Sequence, residues 1–322
     1  MEQKIKFSVA IPAFKRAYLR ECIESVLAQT YGNFEIVIVN DASPEDLSSV
    51  VGEFDDPRIR YYTNVENCGA VNVVDNWNIC LDYVSGDYVI CMGDDDKLLP
   101  CCLEEYAKLI QAYPGLGVYH AWTQIINEQS EVVRMQEARP LRESVYSIIW
   151  HRWHGRIQFI GDFLFDVNQL RSNGGFYKLP LAWGSDDFST FIAARRTGIA
   201  NMQVPGFQYR INSQTISRTG NMDVKMMTVK DKDAWYTEFL KEEPDVLKDE
   251  VAHTFWTMLK QEQRRAMMKS YIYHLSVDMA DRGLHRALHW LRCKKQYNID
   301  IKVIGYAMIE AVKRRVVKRK TN

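Results

Sequence analysis

The feature that most restricts this chain is an alternation, running as far as Trp122, between short β-rich apolar runs and segments with helical periodicity, each run stopping at polar residues. Phe7–Ile11, Glu35–Val39, Ile59–Tyr62, Tyr88–Met92 and Val118–Trp122 read as strands. Between them, Ala17 to Ala28 carries Leu19, Cys22, Ile23, Val26 and Leu27 on one helical face, and Cys101 to Ala112 repeats that period. Strand and helix in turn predict an α/β fold with a mostly parallel central sheet and right-handed crossovers. Ligands of such sheets sit beyond the carboxyl ends of the strands. Chemistry is therefore expected at Pro12-Ala13-Phe14, at Asn40-Asp41 and at Gly93-Asp94-Asp95-Asp96, three strand ends that should meet in one cleft.

Three consecutive carboxylates closing an apolar strand repel one another and raise one another's pKa unless a cation holds them. Mg²⁺ or Mn²⁺ suits such a site, because these ions take one or two protein carboxylates and fill their other positions with water and substrate phosphates. An acidic turn capping the helix that starts near Leu98 explains the same residues without a metal. From the residues alone, both readings stand.

The strings Phe7-Ser8-Val9-Ala10-Ile11-Pro12-Ala13-Phe14-Lys15-Arg16, Ser25-Val26-Leu27-Ala28-Gln29-Thr30-Tyr31 and Glu35-Ile36-Val37-Ile38-Val39-Asn40-Asp41-Ala42-Ser43 resemble the N-terminal signature of family-2 glycosyltransferases of the GT-A fold. Asn67-Cys68-Gly69, Asn76-Trp77-Asn78, Gly86-Asp87-Tyr88 and the acidic cluster before Pro100 follow in that family's order and spacing. The resemblance spans about Lys6 to Thr215. It implies a Rossmann-like, nucleotide-diphospho-sugar transferase domain over residues 1–223, with a nucleotide-binding half (1–122) and an acceptor-binding half (123–223), followed by a helical extension over 224–322. It implies that Pro12, Ala13, Phe14, Arg16 and Asp41 hold the nucleotide, that Asp95 approaches the ribose, and that Asp96, assisted by Asp94, ligates Mn²⁺ or Mg²⁺ at the diphosphate. Asn78 would support the same cleft, or simply brace backbone.

The second half must supply a base for the acceptor hydroxyl. Gly174-Gly175-Phe176, then Trp183-Gly184-Ser185-Asp186-Asp187, then Arg195, Arg196 and Gly198 resemble the family's stretch in which an acidic pair opens a helix and its second member, here Asp187, is the base. Asp186 and Asp187 equally suit the first turn of a helix, where the dipole stabilises a carboxylate. Trp183 is placed either to stack on an acceptor sugar or to pack in the core. A base and a diphosphate on opposite faces of the donor sugar imply inversion without a covalent enzyme intermediate. Departures from the family pattern are Asn40 for an acidic residue, Gly93 for the first Asp of a D-x-D-D pattern, and Asn212 for a frequent His. The Gln-x-x-Arg-Trp motif of processive relatives is absent, so one sugar per acceptor encounter is expected.

Other classes find less support. No Walker A loop, G-x-G-x-x-G or G-x-S-x-G occurs, and the glycine-rich phosphate loop of a sugar nucleotidyltransferase is missing after the first strand. A catalytically silent module of the same fold remains the alternative from another class. With 41 basic and 41 acidic side chains, no global field draws nucleic acid. Seven cysteines without metal or disulfide spacing read as reduced thiols, the N-terminal apolar run is too short for a signal peptide, and no segment has a membrane-spanning length. A cytoplasmic protein is expected. Near the C-terminus Lys313, Arg314, Arg315, Lys318, Arg319 and Lys320 crowd behind an apolar series at Ile301, Ile304, Met308, Val312 and Val316. That helix reads as a solvated tail, an interface, or a peripheral anchor on an anionic leaflet, which would suit a lipid-linked acceptor of bacterial surface polysaccharide assembly.

Overall fold

The computed structural model describes residues 5–212 and 222–321, with side chains as far as residue 316. The basic side chains of Lys318, Arg319 and Lys320 lie outside the described residues. The chain divides into a unit of residues 1–218 and a unit of residues 219–322.

In the first unit, β1 (Phe7–Ala13), α1 (Leu19–Leu27), β2 (Phe34–Asn40), α2 (Leu47–Val51), β3 (Ile59–Thr63), α3 (Val73–Tyr83) and β4 (Tyr88–Cys91) form the first winding. Then come β5 (Lys97–Leu98), α4 (Cys102–Ala112), β6 (Val118–Ile126), β7 (Val132–Met135), β8 (Arg142–Glu143), α5 (Val145–Trp153), β9 (Phe163–Asp166), α6 (Val167–Ser172), α7 (Ser185–Ala194) and β10 (Ile199–Arg210). β2 is buried at every position, as a strand covered on both faces by helices must be. The main sheet order is β3-β2-β1-β4-β9-β6-β10-β5, with β7 on β6 and β8 on β10.

β3, β2, β1 and β4 pair in parallel, and so do β6 and β10. β9 enters antiparallel between β4 and β6, with Tyr88 opposite Asp166 and His120 opposite Phe163. The carboxyl ends of β1, β2, β4, β6 and β10 therefore share one edge with the amino end of β9. That edge brings residues from both halves of the unit together.

Residues 125–155 hold the end of β6, the β6–β7 hairpin, β8 and α5. Ser144 caps α5 by accepting from the Ser147 N–H. α7 ends at Ala194. Gly198 follows at φ +69°, where a Cβ would stand 2.5 Å from the Glu143 carbonyl oxygen, so glycine is required there.

The second unit holds α8 (Met222–Phe239), α9 (Glu250–Arg282), α10 (Arg286–Cys293) and α11 (Ile301–Thr321). The expected boundary after residue 223 falls inside the first turn of α8. Met226, Leu275, Met279, Trp290, Ile304 and Ala307 form the core of this unit. Buried Asp278 ties two helices together by accepting from Trp290 Nε1 and Arg286 Nε, both at 2.8 Å. α11 packs inward through Val303, Ile304, Ala307 and Ala311. Of the apolar series expected on one stripe, only Ile304 is buried; Ile301, Met308, Val312 and Val316 are exposed. The stripe was drawn one face away from the packed one. No helix among the described residues is long and apolar enough to cross a membrane.

Candidate active site

A cavity of about 500 Å³ opens at the carboxyl edge of the sheet. Pro12, Phe14 and Lys15 from the end of β1, Asp41 from the end of β2, and Gly93 to Asp96 from the end of β4 line it. Phe159, Tyr209, Leu181 and Asp186 close its other side. Phe159 and Tyr209 stack at 3.6 Å with their planes 7° apart, joining the loop before β9 to β10. A larger cavity, about 830 Å³, lies in the helical unit. Its charged residues are of both signs, and Asp233 there already accepts from Gln263 at 3.0 Å. The acidic cluster and the strand ends place the chemistry at the smaller one.

Asp41 is nearly buried and firmly oriented. Its Oδ1 accepts from Asn64 Nδ2 and from the Cys68 N–H, each at 2.9 Å, while Asn67 Nδ2 donates to its carbonyl oxygen at 2.7 Å. Asn64 also donates to Asn76 Oδ1 at 3.1 Å. The next residue, Ala42, sits at φ +46°, a strained conformation for a non-glycine residue and one that clusters at functional sites. Asn40 braces the turn by donating to the Tyr61 hydroxyl and accepting from the Ser43 N–H, both at 2.8 Å.

The acidic turn is built with little to spare. Asp94 Oδ2 accepts from the Phe14 and Lys15 N–H groups, both at 2.6 Å, stitching β4 to the end of β1. Asp96 Oδ1 accepts from the Arg210 N–H at 2.9 Å. Asp95 Oδ2 accepts from Asn212 Nδ2 at 2.5 Å and lies 3.8 Å from Lys15 Nζ. Burial and the neighbouring Asp95 charge push the Asp94 carboxyl up to about 6, and the same two causes push Asp96 well above the ordinary range. Gly93 explains itself: a Cβ there would lie 2.8 Å from Asp95 Oδ1 and 3.1 Å from Asp96 Oδ2. The glycine makes room for the carboxylates to converge.

No three His, Cys, Asp or Glu side chains among the described residues form a ready-made metal cage. The donor set still suits an ion that brings its own waters and phosphates: Asp94 and Asp96 each spend one oxygen on backbone amides, and their raised pKa values mark carboxylates short of positive partners.

Arg210 is one of the residues of this site that sequence reasoning missed. Fully buried, it holds the Asp95 carbonyl through Nε at 2.8 Å, Glu21 Oε2 through Nη2 at 3.0 Å and Ser130 Oγ through Nη1 at 3.0 Å. Its guanidinium carbon lies 4.1 Å from the Tyr18 ring centroid. Only its place two residues before Asn212 could have pointed to it.

Asp186 and Asp187 open α7, as expected, but face different surroundings. Asp186 stands at the cavity wall. Asp187 is buried, and its Oδ1 accepts from Arg152 Nε at 2.7 Å and Gln158 Nε2 at 2.8 Å. The turn leading in is strained, with Leu181 at φ 61° and Ala182 at φ 50°. Trp183 is half-buried and outside the cavity wall. Ala13 is buried just behind the wall. Asp187 likewise does not line the cavity, and two further expected residues stand apart from it. Arg16 is exposed, its N–H donating to Glu45 at 2.7 Å. Asn78 spends its amide on the Phe176 backbone, accepting from the N–H at 2.8 Å and donating to the carbonyl at 3.2 Å.

The family model described as glycosyl transferase family 2 matches residues 8–171, just over half of the 322-residue chain. A GalNAc(5)-diNAcBac-PP-undecaprenol β-1,3-glucosyltransferase of Campylobacter jejuni is 39% identical over 97 residues, 29% of this chain and 31% of that protein. Glycosyltransferase GlyA of Streptococcus pneumoniae is 34% identical over 125 residues, 37% of this chain and 17% of that protein. The chain thus matches less than a third of the length of either relative. Among solved structures, residues 1–349 of S. aureus TarS, in complex with UDP-GlcNAc, superpose with a TM-score of 0.61 at 15% identity, covering 97% of this chain and 92% of that one. The shared architecture is the GT-A fold, and the matched segment carries both Asp41 and the acidic turn. The protein belongs to glycosyl transferase family 2.

Proposed function

We propose that the protein transfers a single sugar, with inversion, from a nucleotide-diphosphate donor, UDP-linked in our reading, to a hydroxyl of a saccharide or lipid-linked acceptor. The observation that carries this is the convergence on one cavity of an oriented carboxylate at Asp41, a crowded acidic turn at 94–96, and Asp186 of the acidic pair that opens α7. Asp41, with Pro12, Ala13 and Phe14, holds the nucleotide base, and Asp95 meets the ribose. Asn212 holds Asp95 in place. Asp96, with Asp94, would hold Mn²⁺ or Mg²⁺, which when bound neutralises charge on the departing diphosphate. Asp187 takes the acceptor proton, and Asp186 and Trp183 face the acceptor. Arg16 and Asn78 stand apart from the cavity, and Asn78 acts by bracing the Phe176 backbone.

The Campylobacter relative's undecaprenol-linked substrate makes a lipid-linked acceptor of surface-polysaccharide assembly the first to try. α11 is the element we assign to contact with an anionic membrane surface from the cytoplasmic side, since Ile301, Met308, Ile309, Val312 and Val316 are exposed beside Lys302 and Lys313. The test is nucleotide-diphosphate release from a panel of UDP- and GDP-sugars in Mn²⁺, in Mg²⁺ and in chelator. Metal-dependent release from one donor identifies the sugar. Neither release nor nucleotide binding under any condition would favour a silent module of the same fold.

A further inference from the structure

Two side chains outside the cavity wall converge on one oxygen of Asp187. Arg152, in α5, donates through Nε, and Gln158, in the loop before β9, donates through Nε2; both bonds end on Oδ1. Among the described residues no other bond reaches this carboxylate.

The clamp is itself held in place. Arg152 Nη1 donates to the Arg156 carbonyl at 2.8 Å. Gln158 Oε1 accepts from Arg139 Nη2 at 3.3 Å, and Arg139 is buried beside Glu143. That contact fixes the amide of Gln158. Turned over, it would set its oxygen against the Asp187 carboxylate and its NH₂ against a guanidinium, so only one orientation is satisfied. Glu143 in turn takes two bonds from Arg156 Nη1, at 2.8 and 3.0 Å. The path from α5 to α7 is a connected set of polar contacts, buried at Gln158, Arg139, Glu143 and Arg156 and part-buried at Arg152, with one oxygen at its end.

We infer that Arg152 and Gln158 are positioning residues that commit Oδ1 of Asp187 to the scaffold and leave Oδ2 as the single oxygen that receives the acceptor proton. This rests on the reading of Asp187 as the base. A carboxylate free to rotate offers either oxygen at varying angles. One pinned through Oδ1 presents the other along a fixed direction, and such alignment is what a near-attack geometry requires. Burial makes the pinning stricter, because a buried charge without its partner reorients or takes up a proton.

The test uses the full chain and water as acceptor. Nucleotide-diphosphate release is measured in Mn²⁺ from whichever of UDP-glucose, UDP-N-acetylglucosamine, UDP-galactose and GDP-mannose the wild type turns over, for Asp187→Asn, Asp186→Asn, Arg152→Ala, Arg152→Lys and Gln158→Leu. The inference expects Arg152→Ala and Gln158→Leu to lower kcat by about 10- to 100-fold, the scale of a misplacement near 1 Å, with donor KM within about twofold of wild type. Arg152→Lys should fall between, and millimolar guanidinium should restore part of the Arg152→Ala rate. Loss of activity in Asp187→Asn together with unchanged kcat in both clamp variants would overturn the clamp and leave the base assignment standing. Full activity in Asp187→Asn with loss in Asp186→Asn would overturn the base assignment itself. A clamp variant whose donor KM rises and melting temperature falls in step with its kcat would show a merely structural contact, and would also overturn the inference.

Discussion

The sheet carries buried carboxylates at both edges, and their treatment is opposite. At the amino edge, nearly buried Glu35 accepts from the Ser85 N–H at 2.6 Å, from the Ser8 and Ser85 hydroxyls at 2.7 and 2.8 Å, and from Arg60 Nη1 at 3.0 Å. Burial alone would raise its carboxyl, but these donors outweigh that and hold it at about 2. At the carboxyl edge, Asp94 and Asp96 are buried beside Asp95 and accept from backbone amides, with the Lys15 charge offsetting only part of the effect on Asp94, and both are pushed up. A carboxylate whose donors are all supplied by the chain belongs to the scaffold. Carboxylates packed together and undersupplied are set up for a ligand that brings positive charge.

The largest effect should come from Asp96→Asn. Nucleotide-diphosphate binding in the presence of Mn²⁺ should weaken by at least about 100-fold, beyond the range usual for outer-shell partners, while the melting temperature holds or rises because a crowded buried charge is gone. Calorimetric titration and thermal melts read the two effects separately. Next is Asp41→Ala. Losing a charge-assisted hydrogen bond to the base should weaken nucleotide binding by about 10- to 100-fold with or without metal, which separates this carboxylate from Asp96 in the same titration.

Glu35→Gln sharpens the contrast from the scaffold side. It should cost about 2 kcal/mol of stability at neutral pH and leave nucleotide affinity unaltered. Because the folded-state pKa is lowered, the wild-type contribution is complete above the ordinary carboxylate range and drains away as pH falls toward about 2. Denaturant melts between pH 5 and pH 2 should therefore be flatter in the variant. The smallest effect belongs to Asn78→Ala, which removes two bonds to the Phe176 backbone. A stability loss of about 1–2 kcal/mol with nucleotide affinity within twofold would mark it as a brace, and a clear loss of affinity would return it to the nucleotide site.

Much of this was legible in the sequence wherever side chains announce their own role. β1 and β2 were readable because continuous apolar runs mark strands covered on both faces, and Asn40-Asp41 at the end of β2 marked the cavity edge. The antiparallel entry of β9 was not, because Phe163–Phe165 has no local feature that states direction. α5 was hidden because its apolar positions are interleaved with Trp150, His151 and Trp153, which blur the helical period. Arg210, Asn64 and Gln158 were invisible for a different reason. Each acts by holding a backbone group or another side chain from a distant part of the chain, and spacing along the sequence carries no trace of such a contact. α11 shows a period matched on the wrong face, since its small residues Ala307 and Ala311 pack inward while larger apolar ones stay out.

The central claim is that the undersupplied carboxyl edge, and not the saturated amino edge, takes a metal-bound nucleotide diphosphate. The most direct measurement is calorimetric titration of UDP into wild type, Asp96→Asn and Glu35→Gln, each with Mn²⁺ and with chelator. Wild type and Glu35→Gln should bind UDP tightly only with Mn²⁺, and Asp96→Asn should show no Mn²⁺-dependent gain. Equal UDP affinity in all three proteins, with or without Mn²⁺, would contradict that claim.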